Sequence, residues 1–435
     1  MSDSLGEEIG VEIAASEASP FARLPLLPIG GGFDLLTGIR VIDLTTSIAG
    51  PFATMLLGDL GAEIIKVERP GSGDDSRTWG PPFLHDESLW FLSVNRNKKS
   101  ITLDFSRADG LRVLQDLVAH ADVVVVNQLP SVTAKLGVDV QSLTSLRKDL
   151  IYTSITGFGL SSARADWTCY DLIAEGYSGV MDLTGELESE PQKVGTPAAD
   201  MLAGQDAAFA TVAAIVARNR TGSGRVIDIS LVESMTRFLA CRIVPFLGSG
   251  ELPRRSGGKD SVIAIYQTFE TADLPMTLGL GNDNLWLRFC KAIGLHEVGE
   301  DPAYATNAGR RKCRLKIVEK IQAMLVTRSR AHWLQVLRDA RVPAGPINRL
   351  DEVVEDSHLQ SRGLFYRMQT PAGEIPQVGS GFLLDGEFNK PHLPPPELGE
   401  HTSELLVELL NYDAERIQSL AAAGVITASR IRTAK

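Results

Sequence analysis

Asp200 is the residue whose type and setting most clearly suggest chemistry. It stands in TPAADMLAG, after Thr196 and Pro197, where a long apolar stretch with helical spacing begins. A carboxylate at a helix start is favoured by the helix dipole and by unpaired backbone N–H groups. It is therefore expected to stay ionised at neutral pH, as a nucleophile must. Ala203, Gly204 and Ala207 follow it and would leave room for a bulky reactant. The same position also suits an ordinary first-turn acid, so the residues alone leave both readings open. Asp171, after Tyr170, opens another helical stretch and is open to the same plain reading. Ser256-Gly257-Gly258-Lys259 forms a glycine-rich loop, whose amides could stabilise an oxyanion or which could simply link two elements.

These residues need elements to hold them. GIRVIDLT, EIIKVERP, SITLDF, DVVVVNQ and IYTSITGFG read as strands, and DVVVVNQ is the β-branched run of a strand buried on both faces. Helical segments alternate with them: SIAGPFATMLLGDLGA, with Pro51 at its first turn, the amphipathic RADGLRVLQDLVAHA and the shorter SLTSLRKDL. Such alternation predicts a parallel sheet covered by helices. The first strand is followed by TTSIAGP and not by a GxGxxG turn, so the dinucleotide fingerprint is missing. TPAADMLAGQDAAFATVAAIVARNRTGSG predicts a long helix with Leu202, Phe209, Val212 and Val216 at helical spacing, apolar enough to require burial. Residues 256–342 mix short strands and helices as a smaller α+β region. The Gly30–Gly32 run precedes the first strand and reads as a flexible lead-in.

Composition narrows the class. The chain has 435 residues, 44% hydrophobic and 22% charged, and a formal net charge of −11. That is an ordinary globular mix, long enough for two cores. The acidic balance speaks against a nucleic-acid partner. No apolar run approaches the roughly 20 residues of a membrane span, so no membrane partner is expected. The first 33 residues are acidic and read as a loose extension without signal or transit character, which makes a cytoplasmic location the expectation. Cys169, Cys241, Cys290 and Cys313 are scattered and expected to be reduced. The seven histidines show no ligand spacing, so no metal site is expected.

Several blocks in order resemble the family III CoA-transferases, which include the formyl-CoA and carnitine CoA-transferases. They are LTGIRVIDLTTSIAGPFATMLLGDLGAEIIKVERPGSGDDSR, NRNKKSITLDF, the asparagine that ends DVVVVN, TPAADMLAG, TGSGRVIDISLVES and LGEHTSELL. The match runs from about Leu36 to the C-terminus. The resemblance implies an α/β fold: a Rossmann-like large domain from both chain ends, a smaller α+β domain from the middle, and two chains interlocked as a homodimer. The implied boundaries are an extension over 1–35, a large CoA-binding domain over 36–225, a linker helix and small domain over 226–350, and a return over 351–435.

The resemblance also implies roles. Asp200 matches the family's nucleophile, which passes through a mixed anhydride and an aspartyl-CoA thioester. Asp171 matches an acid facing it. Gly257 and Gly258 match the glycine loop that covers the intermediates, here shorter than in the family. Coenzyme A enters as part of the substrate, with no separate cofactor. Ala49, Arg69, Leu103, Asn127 and Lys135 match CoA contacts, and Gln128 stands where the family has an aromatic residue. Ile48 replaces a glutamine and Thr46 a histidine of the formyl-CoA transferases, which argues against formyl-CoA and oxalate. Arg254 and Arg255 could hold the second carboxylate of a dicarboxylic acid or be solvated loop charges. Succinyl-CoA as donor is the resulting expectation, with a carboxylic acid as acceptor. Racemases of the same fold carry a histidine where this chain has Tyr170, a weaker general base at neutral pH. An intramolecular CoA-transfer isomerase would keep Asp200, whereas an inactive CoA-binding protein would be expected to lose it.

Overall fold

The computed structural model describes residues 20–427, which divide into two compact units. The first comprises residues 20–178, Gly195–Phe238 and 354–427. The second comprises Gly179–Val194 and Leu239–Val353.

Six strands form the sheet of the first unit: β1 (Arg40–Asp43), β2 (Glu63–Glu68), β3 (Lys98–Thr102), β4 (Val123–Val126), β5 (Ile151–Thr156) and β6 (Val226–Ser230). All pair in parallel, in the order β3-β2-β1-β4-β5-β6. Strand order reverses between β1 and β4, and in open sheets of this kind a crevice for ligands opens at the strands' carboxyl ends there. Every residue of β4 and β5 is buried, as the β-branched runs require. Five helices matter for the site: α1 (Ala49–Asp59), α2 (Ala108–Ala119), α3 (Asp171–Ser178), α4 (Ala198–Thr221) and α5 (Leu231–Phe238). The main core joins Ile42, Val124, Val126 and Tyr152 of the sheet to Val113 and Leu117 of α2. Leu405, Leu406 and Leu420 of the returning C-terminal segment complete it.

The boundary expected at 225 lies too early. β6 pairs with β5, Ser154 opposite Asp228, so residues 226–238 belong with the sheet. The lead-in also differs from its expectation where it is described. Leu27 N donates to Arg367 O at 2.9 Å, Gly30 N to Pro391 O at 2.7 Å and Phe33 N to Asn389 Oδ1 at 2.8 Å. Leu24 and Phe33 are buried, and a Cβ on Gly32 would lie 2.2 Å from Lys390 O. Residues 20–35 are thus docked on the C-terminal return by backbone bonds and two apolar anchors. Residues 1–19, the rest of the expected extension, lie outside the described residues.

α4 corrects another expectation. It is long and apolar enough by composition to cross a bilayer, yet the first half of its buried face is made of small residues, Ala199, Ala203, Gly204, Ala207 and Ala208. These let α1 approach closely: a Cβ on Gly204 would sit 2.6 Å from Ala49 O. The small side chains therefore bring two helices together and do not leave room for a reactant. The large apolar side chains Phe209 and Val216 point outward, 76% and 66% exposed.

The second unit holds a three-stranded antiparallel sheet, β7 (Tyr266–Phe269), β8 (Met276–Gly279) and β9 (Ala344–Pro346), with β8 central. α6 (Ala240–Ser249), α7 (Asp283–Ala292), α8 (Arg314–Leu325) and α9 (Arg330–Asp339) accompany it. Trp286, Phe289, Ile317, Ile321 and Leu337 form its separate core with Met276 and Leu278.

Candidate active site

α3 and α4 meet through their first residues. α4 has no capping side chain of its own, because Pro197 occupies the N-cap. Asp171, which starts α3, supplies the cap: its Oδ1 accepts from Ala199 N at 2.8 Å and Asp200 N at 3.3 Å. A carboxylate there satisfies two orphan amides and faces the positive end of the α4 dipole. Asp171 thus begins one helix and fixes the turn that carries Asp200.

That arrangement changes the state expected for Asp200. The amides that would have favoured its ionisation are bonded to Asp171. Burial, and then the negative charge of Asp171, push the Asp200 carboxyl up to about 7. Asp200 is therefore divided between its protonated and ionised forms at neutral pH and is not held fully ionised. The same burial and the same two carboxylates push the Cys169 thiol up to about 11, which keeps it protonated.

Asp200 lines a cavity of ≈ 330 Å³ in the first unit, within the usual range of small-molecule sites. Its walls come from the carboxyl ends of β1, β4 and β5: Thr46, Ser47, Ile48 and Ala49 from the first turn, Asn127, Gln128 and Leu129 from the second, Ile155 to Gly157 from the third. This is the crevice at the strand-order reversal. Trp79, Asp75, Cys169 and Tyr170 complete much of the rim, and among the described residues no lysine, arginine or histidine lines it. A larger cavity of ≈ 910 Å³ lies in the second unit, lined by Arg242, Arg254, Arg255 and Arg311 among others. It contains neither Asp171 nor Asp200, so the smaller cavity is the candidate site.

The family-matched CoA positions fall into two groups. Ala49, Asn127 and Gln128 line the cavity. Asn127 bridges two turns, accepting from Thr46 N at 3.1 Å and donating to Thr46 O at 2.8 Å. Gln128 donates to Leu44 O, and its buried Oε1 has no partner among the described residues. Arg69 is exposed and pairs with Asp75 at the rim. Leu103 is fully buried in the core, and Lys135 is exposed on the short helix Pro130–Leu136; neither lines the cavity.

Gly257 and Gly258 belong to the second unit. Gly257 has φ +58°, and a Cβ there would meet the Glu186 carboxylate at 2.1 Å. Its N–H donates to Gly185 O at 2.9 Å, so it is not free to bind an oxyanion. The Gly258 N–H makes no hydrogen bond among the described residues, and its carbonyl accepts from Thr268 N. Arg255 is also committed, donating to Asp182 O and Oδ1, while Arg254 is exposed.

Beneath the β1 turn lies a buried charge cluster that sequence reasoning missed. Lys98 Nζ bonds Asp43 Oδ2 at 3.1 Å and Lys66 Nζ bonds Asp74 Oδ2 at 2.8 Å, with all four side chains 0% exposed. Glu68 pairs with Arg77 beside them. Burial alone would raise Asp43, but Lys98 and Lys66, with the Thr45 and Thr54 hydroxyls, hold it well below the usual carboxylate range. Burial lowers Lys98 to about 8 despite Asp43. The signal was present in EIIKVE, where Lys66 interrupts an apolar run, and in KKSIT, where charged and polar residues occupy a strand of an otherwise buried sheet.

The model of CoA-transferase family III matches residues 36–402. The chain is 38% identical to the succinyl-CoA:glutarate CoA-transferase of Mus musculus, over 90% of each chain. It is 37% identical to the succinate–glutarate CoA-transferase of Agrobacterium fabrum, over 86% of this chain and 95% of that one. A crystal structure of a CaiB/BaiF family protein from Brucella suis superposes with a TM-score of 0.76 at 36% identity, covering 87% of this chain and all of the other. The chain belongs to family III of the CoA-transferases and is a CoA-transferase enzyme.

Proposed function

We propose that this enzyme moves coenzyme A from succinyl-CoA to a second carboxylic acid, with Asp200 as covalent nucleophile. The observation that carries the reading is a half-buried carboxylate without a cationic partner among the described residues, facing a cavity at the strand-order reversal. Such a group is poorly solvated when ionised and hence reactive.

A carboxylate oxygen of Asp200 attacks the thioester carbonyl. The C–O bond forms, the C–S bond breaks, and the CoA thiolate leaves a mixed anhydride. The thiolate then attacks the Asp200 carbonyl carbon, expelling succinate with the bridging oxygen and leaving an aspartyl-CoA thioester. The acceptor carboxylate repeats the attack at that carbon, displacing the thiolate and forming a second anhydride. Thiolate attack on the acceptor's acyl carbon releases the new acyl-CoA and restores the Asp200 carboxylate. No net proton is consumed, so the cycle needs Asp200 ionised at its start but no general base. Among the described residues no histidine lines the cavity, which favours transfer over racemisation, since racemisation needs two acid/base groups.

Ala49, Asn127 and Gln128 are assigned to the CoA thioester, with Arg69 at the rim for a phosphate. Succinyl-CoA is named as donor because it is the donor named for the mouse relative, and glutarate is the first acceptor to test. A homodimer is proposed because Phe209 and Val216 expose large apolar surface on α4, which a second copy would cover. Incubation with succinyl-CoA and a panel of mono- and dicarboxylic acids, with products read by mass spectrometry, tests the assignment. Formation of glutaryl-CoA is expected. Transfer to none of the acids, or from other donors only, would overturn it.

A further inference from the structure

The turn after β1 is held by backbone bonds of an unusual kind. Ser47 has φ +71°, a left-handed conformation that L side chains other than asparagine and aspartate rarely adopt. Its hydroxyl makes no hydrogen bond among the described residues, so the serine does not hold itself there. Asp74 does the holding: Oδ1 accepts from Ser47 N at 3.0 Å, and Oδ2 accepts from Lys66 Nζ at 2.8 Å. Lys66 Nζ also donates to Thr45 O at 2.9 Å. The buried pair therefore brackets the turn, one bond to the carbonyl of residue 45 and one to the amide of residue 47. Asn127 ties down residue 46 from the other side. Ser76 fixes Asp74 in turn, donating to Oδ1 from N at 2.9 Å and from Oγ at 2.7 Å.

The conformation at Ser47 decides where the next residues go. Ile48 and Ala49 lead into α1, whose first turn has no side-chain cap, and residues 46–49 line the Asp200 cavity. Little slack is available, since a Cβ on Gly50 would lie 2.3 Å from Thr45 Cβ. Asp74 does not itself line the cavity.

We infer that Asp74 is a positioning residue that imposes the left-handed conformation on Ser47 and so shapes the wall that receives the acyl-CoA. The inference rests on the reading of this cavity as the acyl-CoA site. Lys66 supports Asp74 by fixing its second oxygen.

A double-substitution experiment tests it. Asp74→Asn keeps the side-chain size but cannot accept on both sides. Its dissociation constant for succinyl-CoA, measured by calorimetry, is expected to rise by about tenfold, the worth of one charge-assisted hydrogen bond. Ser47→Gly added to Asp74→Asn should recover most of that loss, because glycine enters the left-handed region unaided. Ser47→Ala, which removes the same hydroxyl, should recover none. Asp74→Glu, which retains the charge beside Lys66 but displaces the acceptor, gives the same test if Asp74→Asn does not fold. A loss that is equal with serine and glycine at position 47, or no loss at all, would overturn the positioning role. If the unsubstituted enzyme binds no acyl-CoA, the acyl-CoA reading fails on its own. Hydrogen exchange over residues 45–49 then tests the positioning role without ligand: Asp74→Asn should speed it, and unchanged exchange would overturn the role.

Discussion

Two sets of carboxylates lie within the first unit, one buried and one half-buried, and they have opposite fates. Asp43 and Asp74 sit against Lys98 and Lys66, and each is held below its ordinary value. Asp200 meets no cation among the described residues. Burial and Asp171 lift it to about 7. One residue type thus serves as brace in one place and reactive group in another, and the difference lies in whether a lysine accompanies it into the interior. The paired acids can bear the backbone of the β1 turn because they stay charged at every ordinary pH. The unpaired one can become covalently modified because nothing stabilises its charge in place of a substrate.

Removing each member of the comparison should have a distinct signature. Asp200→Ala is expected to lower CoA transfer by on the order of 10³-fold or more, measured as turnover, while the protein stays folded. Lys66→Met strands Asp74 as an uncompensated buried charge and should cost about 3–5 kcal/mol in urea unfolding. Asp200→Asn should do the reverse. Between about pH 4 and 7 the folded state holds a proton at Asp200 that the unfolded chain has released, so native stability falls as pH rises through that window. The neutral amide escapes this, and the variant's stability advantage should grow from nothing near pH 4 to roughly 2–4 kcal/mol above pH 7. An advantage independent of pH would mean Asp200 is not raised. Gly204→Ala, which drives a Cβ to 2.6 Å from Ala49 O, should destabilise by about 1–3 kcal/mol by forcing α1 from α4. The mildest change is Asp171→Asn, whose amide oxygen can still cap α4. Transfer in the unsubstituted enzyme should rise with pH to half its maximum near 7. Loss of the neighbouring charge should move that rise toward lower pH, and a shift the other way would contradict the coupling of the two acids.

The same contrast shows what the sequence could and could not tell. Strand and helix alternation and the long helix from TPAAD were legible because each is a local pattern, whereas Asp200 stood out as the candidate acid only through the ordered family blocks. The ionisation of Asp200 was not legible, because it depends on Asp171, 29 positions earlier, taking the amides of α4. Nor was the use of Ala203, Gly204 and Ala207: small residues can admit either a ligand or a neighbouring helix, and only the packing of α1 decides. Residues 20–35 read as loose because their glycines and prolines give no periodic signal, while the bonds that dock them come from residues more than 330 positions later. The buried lysines were visible as anomalies in EIIKVE and KKSIT, but their partners Asp43 and Asp74 could be found only in three dimensions.

The most direct measurement of the central claim is the chemical state of Asp200 during turnover. The enzyme is incubated with succinyl-CoA alone, quenched with hydroxylamine, digested and read by peptide mass spectrometry. A hydroxamate at Asp200, dependent on the acyl-CoA, is the expected result. Modification at another residue or none, together with an Asp200→Ala variant that still transfers CoA, would contradict the assignment of Asp200 as the nucleophile.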